Sequence, residues 1–132
     1  MKENAVSAGL AVVLAGAMTL FGGWTTAMTT LVMLIALDIV SGFGRAFIQK
    51  QLSSKESWFG VTKKLLVFVA VALGAQIDVL LGNRSLVRDA VVAFYCASEG
   101  LSVVENLVAS GLPVPEQLRL ALKQLNSKKY VE

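Results

Sequence analysis

The sequence predicts an all-α integral membrane protein with four transmembrane helices and a short C-terminal amphipathic helix. Three observations lead there. The 132 residues are 55% hydrophobic and only 16% charged, more apolar surface than a domain of this size can bury from water. That surface falls into four long runs, near residues 5–22, 24–43, 61–81 and 86–109. Each approaches the ~20 residues that a helix needs to cross ~30 Å of hydrocarbon. Lipid offers no hydrogen bonds to an open backbone, so runs of this kind resolve as helices and not as strands.

The first run, 5–22, is the shortest. An arrangement of three spans, with this segment lying elsewhere, is the alternative to four. With Lys2 ahead of it and small residues behind, it imitates a signal peptide, but Glu3 weakens the positive start and cleavage is not expected. Ala8-Gly9, Ala15-Gly16 and Gly22-Gly23 recur every seven residues. Small residues in register let two membrane helices approach closely, so this stripe is a candidate packing seam, within or between protomers. Gly22-Gly23 also breaks the first run from the second, and Trp24 stands where an interfacial aromatic would.

The second run carries Asp38 deep in its apolar stretch, on one face with Ser41 and Arg45. A charge at the bilayer centre costs ~2.5–3.5 kcal/mol on insertion scales, so Asp38 calls for protonation or a cation from another helix, such as Lys63 or Lys64. Residues 42–60 read as the longest polar loop. Arg45, Lys50, Lys55, Lys63 and Lys64 in and beside it face one acid, Glu56. The positive-inside rule then places this basic loop in the cytoplasm. Arg119, Lys123, Lys128 and Lys129 place the C-terminal tail there too, and four spans bring the N-terminus to the same side.

The third run ends near Asp78, and residues 82–85 form a short turn. The fourth run is the most patterned. Arg88, Tyr95, Glu99, Ser102 and Asn106 step by seven, four, three and four, which at ~100° per residue is one face. A polar stripe on a membrane helix either lines water or meets polar groups of neighbouring helices, and the spacing leaves both open. With Asp38, these five are the candidate pore-lining or inter-helix residues. Gly111, Pro113 and Pro115 end the run. Beyond them Leu118, Leu122 and Leu125 are spaced four and three, a helical face with Arg119 and Lys123 beside it, as in a surface-lying or partner-docking helix. Residues 1–112 thus form the membrane domain and 113–132 a cytoplasmic amphipathic helix and tail.

Catalysis has little to work with. Histidine is absent, which excludes a Ser-His-Asp triad, and the single cysteine, Cys96, lies in an apolar stretch. No metal, cofactor or nucleic-acid partner is expected, and no enzymatic activity.

The motifs of the fourth run and its sequel resemble those of the toxin-secretion/phage-lysis holin family. Glu99-Gly100-Leu101-Ser102-Val103-Val104-Glu105-Asn106 matches its E-G-x-S-x-x-E-N pattern. Gly111-Leu112-Pro113-Val114-Pro115, followed by Leu118 and Leu122, matches its G-x-P-x-P and leucine-spaced helix. Leu37-Asp38-Ile39-Val40-Ser41-Gly42 resembles its L-D-x-x-x-G, and Ser53-Ser54, Gly60 and Lys63-Lys64 resemble its loop. The resemblance covers about residues 34–125. It implies a bacteriophage-type holin that accumulates in the bacterial cytoplasmic membrane, forms a homo-oligomer and permeabilises that membrane, so that a cell-wall hydrolase (endolysin) or a toxin leaves. An antiholin or membrane scaffold would share these features, as would a small ion-channel or transporter subunit.

Overall fold

The computed structural model describes residues 1–127, with the side chains of 125–127 left aside. The described residues are helical, with no strand among them. Five helices follow in order: α1 (Lys2–Leu20), α2 (Thr26–Ile48), α3 (Ser54–Leu81), α4 (Leu86–Ala109) and α5 (Glu116–Ser127). The first four are long and apolar enough to cross a membrane.

The helices run past the apolar runs at both sides of the basic segment. Residues 42–48 continue α2 and residues 54–60 open α3, so the polar connection shrinks from 42–60 to 49–53. Hydropathy falls before the backbone hydrogen bonds stop. Ser53 marks the true start of α3, its hydroxyl accepting from the Glu56 amide at 3.5 Å, and Thr25 caps α2 likewise through the Met28 amide at 3.3 Å, the standard remedy for free N–H groups at a helix start.

Each of the four long helices ends in a pair of reversed backbone hydrogen bonds around one left-handed residue. Gly23 donates to the Met18 carbonyl, Gln51 to Ala46, Asn83 to Asp78 and Leu112 to Leu107. The left-handed residue is Gly22, Lys50, Gly82 and Gly111 in turn, and Gly23 after the first also has a positive φ, 93°. Lys50, at φ 55°, occupies a conformation that costs a side chain roughly 1–2 kcal/mol.

α4 is the organising helix, packing against α2, α3 and α5. Met28, Leu31 and Ile35 of α2, Val67 and Val71 of α3 and Val92 of α4 form one buried cluster, with Tyr95 and Cys96 packed on it. Outside this seam the helices present Leu65, Leu66, Val69, Leu73 and Leu80 to the surroundings, an apolar exterior suited to lipid and not to water. α1 stands apart, with no buried residue. Its C-terminal end alone meets the bundle, where Phe21 stacks edge-on against Phe68 and the Leu20 carbonyl accepts from Gln76 at 3.0 Å.

Candidate functional site: a charged cluster inside the helix bundle

Two polar centres lie in the bundle. The first ties one end together. Asp78, only 2% exposed, accepts from the Val87 amide at 2.9 Å and the Arg88 amide at 2.8 Å. Its carboxylate satisfies two free N–H groups at the positive end of the α4 dipole. The Arg88 guanidinium, also buried, donates to the Gly22 carbonyl at 2.5 Å and the Phe21 carbonyl at 3.3 Å. It also grips Asp89 through Nε at 3.0 Å and Nη2 at 2.9 Å. Gly74 lets this end close: a Cβ there would stand 3.1 Å from the Arg88 Cα.

The second centre lies deeper. Lys64 of α3 bridges Asp38 of α2, at 2.5 Å, and Glu99 of α4. Asp38 is ten residues from the end of α2, Lys64 ten residues into α3, and Glu99 ten residues from the end of α4. At ~1.5 Å per residue all three sit ~15 Å from the same end of the bundle, level with one another. Glu99 is 4% exposed and Asp38 9%. Taken as ionised, two carboxylates share one ammonium, leaving one negative charge without a cation in the cluster.

From this level a ladder of polar contacts climbs toward the basic end. Asn106 Nδ2 donates to Asp38 Oδ1 at 2.9 Å and to Ser41 Oγ at 3.1 Å. Arg45 reaches Asn106 Oδ1 at 3.5 Å, and Gln49 donates to the Ala109 carbonyl at 3.3 Å. Gly42 faces the ladder, where a Cβ would make ordinary contact with Asn106 Nδ2 at 3.5 Å. A polar cavity of about 420 Å³ opens beside the ladder, lined in part by Asp38, Arg45, Lys64, Ser102 and Asn106.

The stripe read on the fourth run is therefore shared between the two centres. Arg88 serves the first, Glu99 and Asn106 the second; Ser102 lines the cavity, and Tyr95 packs on the apolar core between them. Of the five basic-loop candidates, only Lys50 lies in the connection itself. Arg45 is on α2, and Lys55, Lys63 and Lys64 are on α3, with Lys63 over the Phe59 ring. Among the seam candidates, a Cβ on Gly9, Gly16 or Gly23 would meet nothing within 4 Å, whereas one on Gly22 would touch Arg88 and Ala75; Ala8 and Ala15 are exposed on α1.

The Asp38–Lys64 pairing was one of the options legible in the sequence, but the role of Asp78 was not. Its clue was its position four residues before a tight glycine turn, where a carboxylate can reach back to the next helix. α5 folds against its own chain. A Cβ on Gly100 would stand 2.9 Å from Leu122 Cδ2, while Leu118 remains 44% exposed. The Leu125 side chain, Lys128 and Lys129 lie outside the described residues.

A family model described as the bacteriophage holin family matches residues 15–127. The chain belongs to this bacteriophage holin family. Among its holin-family relatives is a probable holin of Bacillus phage phi105, 36% identical over 85 residues, which are 64% of this chain and 63% of that one. An uncharacterized 14.9 kDa protein of Clostridium perfringens is 40% identical over 111 residues, 83% of this chain and 84% of the relative. The YqxH protein of Bacillus subtilis is 36% identical over 110 residues, 83% and 78% of the two chains. No solved structure matches.

Proposed function

We propose that this holin-family chain oligomerises in the bacterial cytoplasmic membrane and permeabilises it, so that a cell-wall hydrolase or a toxin can leave the cell. The observation that carries the reading is the Asp38–Lys64–Glu99 cluster, set on three spanning helices about half a membrane thickness from one end. Buried ion pairs add little net stability, because desolvation offsets most of their attraction, and an uncompensated charge tilts the balance further. A bundle held by such a cluster has something to gain from water. In the closed protomer the polar face of α4 is turned onto α2 and α3. In the hole the same face lines the lumen, where hydration removes the cost of its charges.

Arg45, Lys50, Lys55, Lys63 and Lys64 lie on segments at one end of the bundle or along its adjoining half, with Arg119 and Lys123 of α5 following the same end of α4; Arg84 and Arg88 lie at the other. The positive-inside rule therefore supports both termini in the cytoplasm.

The test is induced expression in a bacterium that holds a wall hydrolase in its cytoplasm without a signal sequence, while optical density is recorded. Abrupt lysis after a delay, with both proteins present and with neither alone, is the expected result. Steady growth would instead indicate an antiholin or a scaffold. Ion leakage without lysis would indicate a narrow channel.

A further inference from the structure

A second cavity, of about 450 Å³, adjoins the polar one and shares Phe43, Ser53, Ser57 and Val61 with it. Its character is different. Leu52 and Trp58 complete a groove with Phe43, and all three side chains are at least half exposed. On the outer surface of a membrane bundle such a groove faces acyl chains. Near the basic end of the helices its upper edge opens into the polar cavity.

Three charged groups in that cavity have no counter-ion of their own. Among the described residues no carboxylate lies within 4 Å of the Arg45 guanidinium, and no cation within 4 Å of Glu56 or Glu105. One guanidinium and two carboxylates, side by side with an acyl-sized groove, present both signs to a single ligand.

We propose that the two cavities form one binding site for a phospholipid whose headgroup joins a phosphate to a primary ammonium, a phosphatidylethanolamine. Arg45 takes the phosphate through charge-assisted hydrogen bonds, Glu56 and Glu105 take the ammonium, and one acyl chain follows the groove past Trp58. A purely anionic headgroup would satisfy Arg45 but face two carboxylates, which selects against it. The proposal rests on the placement of the four helices in a membrane and not on hole formation.

Trp58 is the reporter, since the chain holds two tryptophans and Trp24 is bonded to Thr29 away from the groove. The full chain carrying Trp24→Phe is placed in vesicles that mix dioleoyl-phosphatidylethanolamine and dioleoyl-phosphatidylglycerol. In one series the first lipid is brominated, in the other the second, and quenching of Trp58 is followed against composition. The expected result is an about tenfold preference for phosphatidylethanolamine at the quenching site. Arg45→Gln alone and Glu56→Gln with Glu105→Gln should each reduce it toward parity, with helix content unchanged by circular dichroism. Quenching by both lipids in proportion to the bulk would reduce the site to ordinary boundary lipid and overturn the proposal. A preference for phosphatidylglycerol, or one that survives both sets of substitutions, would overturn the headgroup assignment. Quenching that emerges only when residues 128–132 are removed would make the chain's own tail the occupant, and would overturn it too. None of these outcomes bears on whether the protein lyses cells, which the hydrolase experiment decides separately.

Discussion

The two polar centres of the bundle solve the same problem in opposite ways. At the Arg88 end the charged groups are anchored to backbone: Asp78 holds the start of α4, and Arg88 holds the carbonyls after α1 as well as Asp89. The partners lie in or beside the two tight turns at 21–25 and 82–85, with Arg88 tying one to the other. At the Lys64 level the partners are side chains from three different helices, one charge from each. The first centre is a clamp, and under the proposed function the second is the junction that water replaces. The same residue types are anchored to backbone groups at one centre and bridge side chains of three helices at the other.

Breaking the clamp should have the largest effect. Asp78→Ala strands one buried and one half-buried amide at the start of α4 and leaves Arg88 with less opposing charge, a loss of about 3–5 kcal/mol. The expected outcome is a protein that fails to accumulate in the membrane fraction by immunoblot. Normal accumulation would show that the clamp is dispensable.

Lys64→Met comes next. It leaves Asp38 and Glu99 facing each other without a cation, at a cost of about 3 kcal/mol or more in the closed bundle. Unlike the clamp variant, it should still insert, and its lysis onset should come earlier than wild type. Adding Asp38→Asn and Glu99→Gln should bring the onset back. An early onset that persists in the triple variant would locate the effect outside the charge cluster.

Gly74→Val probes the fit of α3 on α4 without touching a charge. Its first side-chain carbon already meets the backbone of Arg88 at 3.1 Å, so strain of about 1–3 kcal/mol is expected, read as a lower midpoint of thermal unfolding in detergent. Gly100→Ala should do less, because its neighbour is the end of the Leu122 side chain, which can turn away. Proteolysis within α5 is the readout, and the variant should be cut faster.

The smallest effect on the protomer belongs to Gly9→Ala and Gly16→Ala, which meet nothing within 4 Å. Unfolding midpoints should match wild type or rise slightly, since nothing crowds the added methyl groups and a helix interior favours alanine over glycine. Cross-linking in membranes then shows whether the α1 stripe serves contacts between protomers. A changed cross-linking ladder would assign it that role, and an unchanged one would leave it to lipid.

Much of this was legible in the residues. Four apolar runs gave four helices because lipid leaves the backbone no other economy, and glycines at 22, 82 and 111 marked helix ends because a left-handed residue closes each. The start of α3 was less visible, since Lys55, Lys63 and Lys64 suggest a loop when hydropathy alone is read, whereas Ser53 and the backbone carry the helix through them. Lys50 shows the same limit, a left-handed helix end with no glycine to signal it. At the site, the five-residue stripe on α4 was legible as a face, but its division between two centres depends on which neighbouring helix stands opposite each residue. Spacing along one helix does not contain that information. The pairing of Lys64 with both Asp38 and Glu99 likewise needs the three helices aligned at one depth.

The most direct measurement compares wild type with Glu99→Gln for release of a folded cytoplasmic reporter enzyme into the medium after induction. With one carboxylate removed, Lys64 and Asp38 form a balanced pair. The closed bundle is then held more firmly, and release should begin later at equal protein level. Release at the same time and to the same extent would contradict the account, because the unbalanced charge at the centre of the bundle would then play no part in opening the membrane.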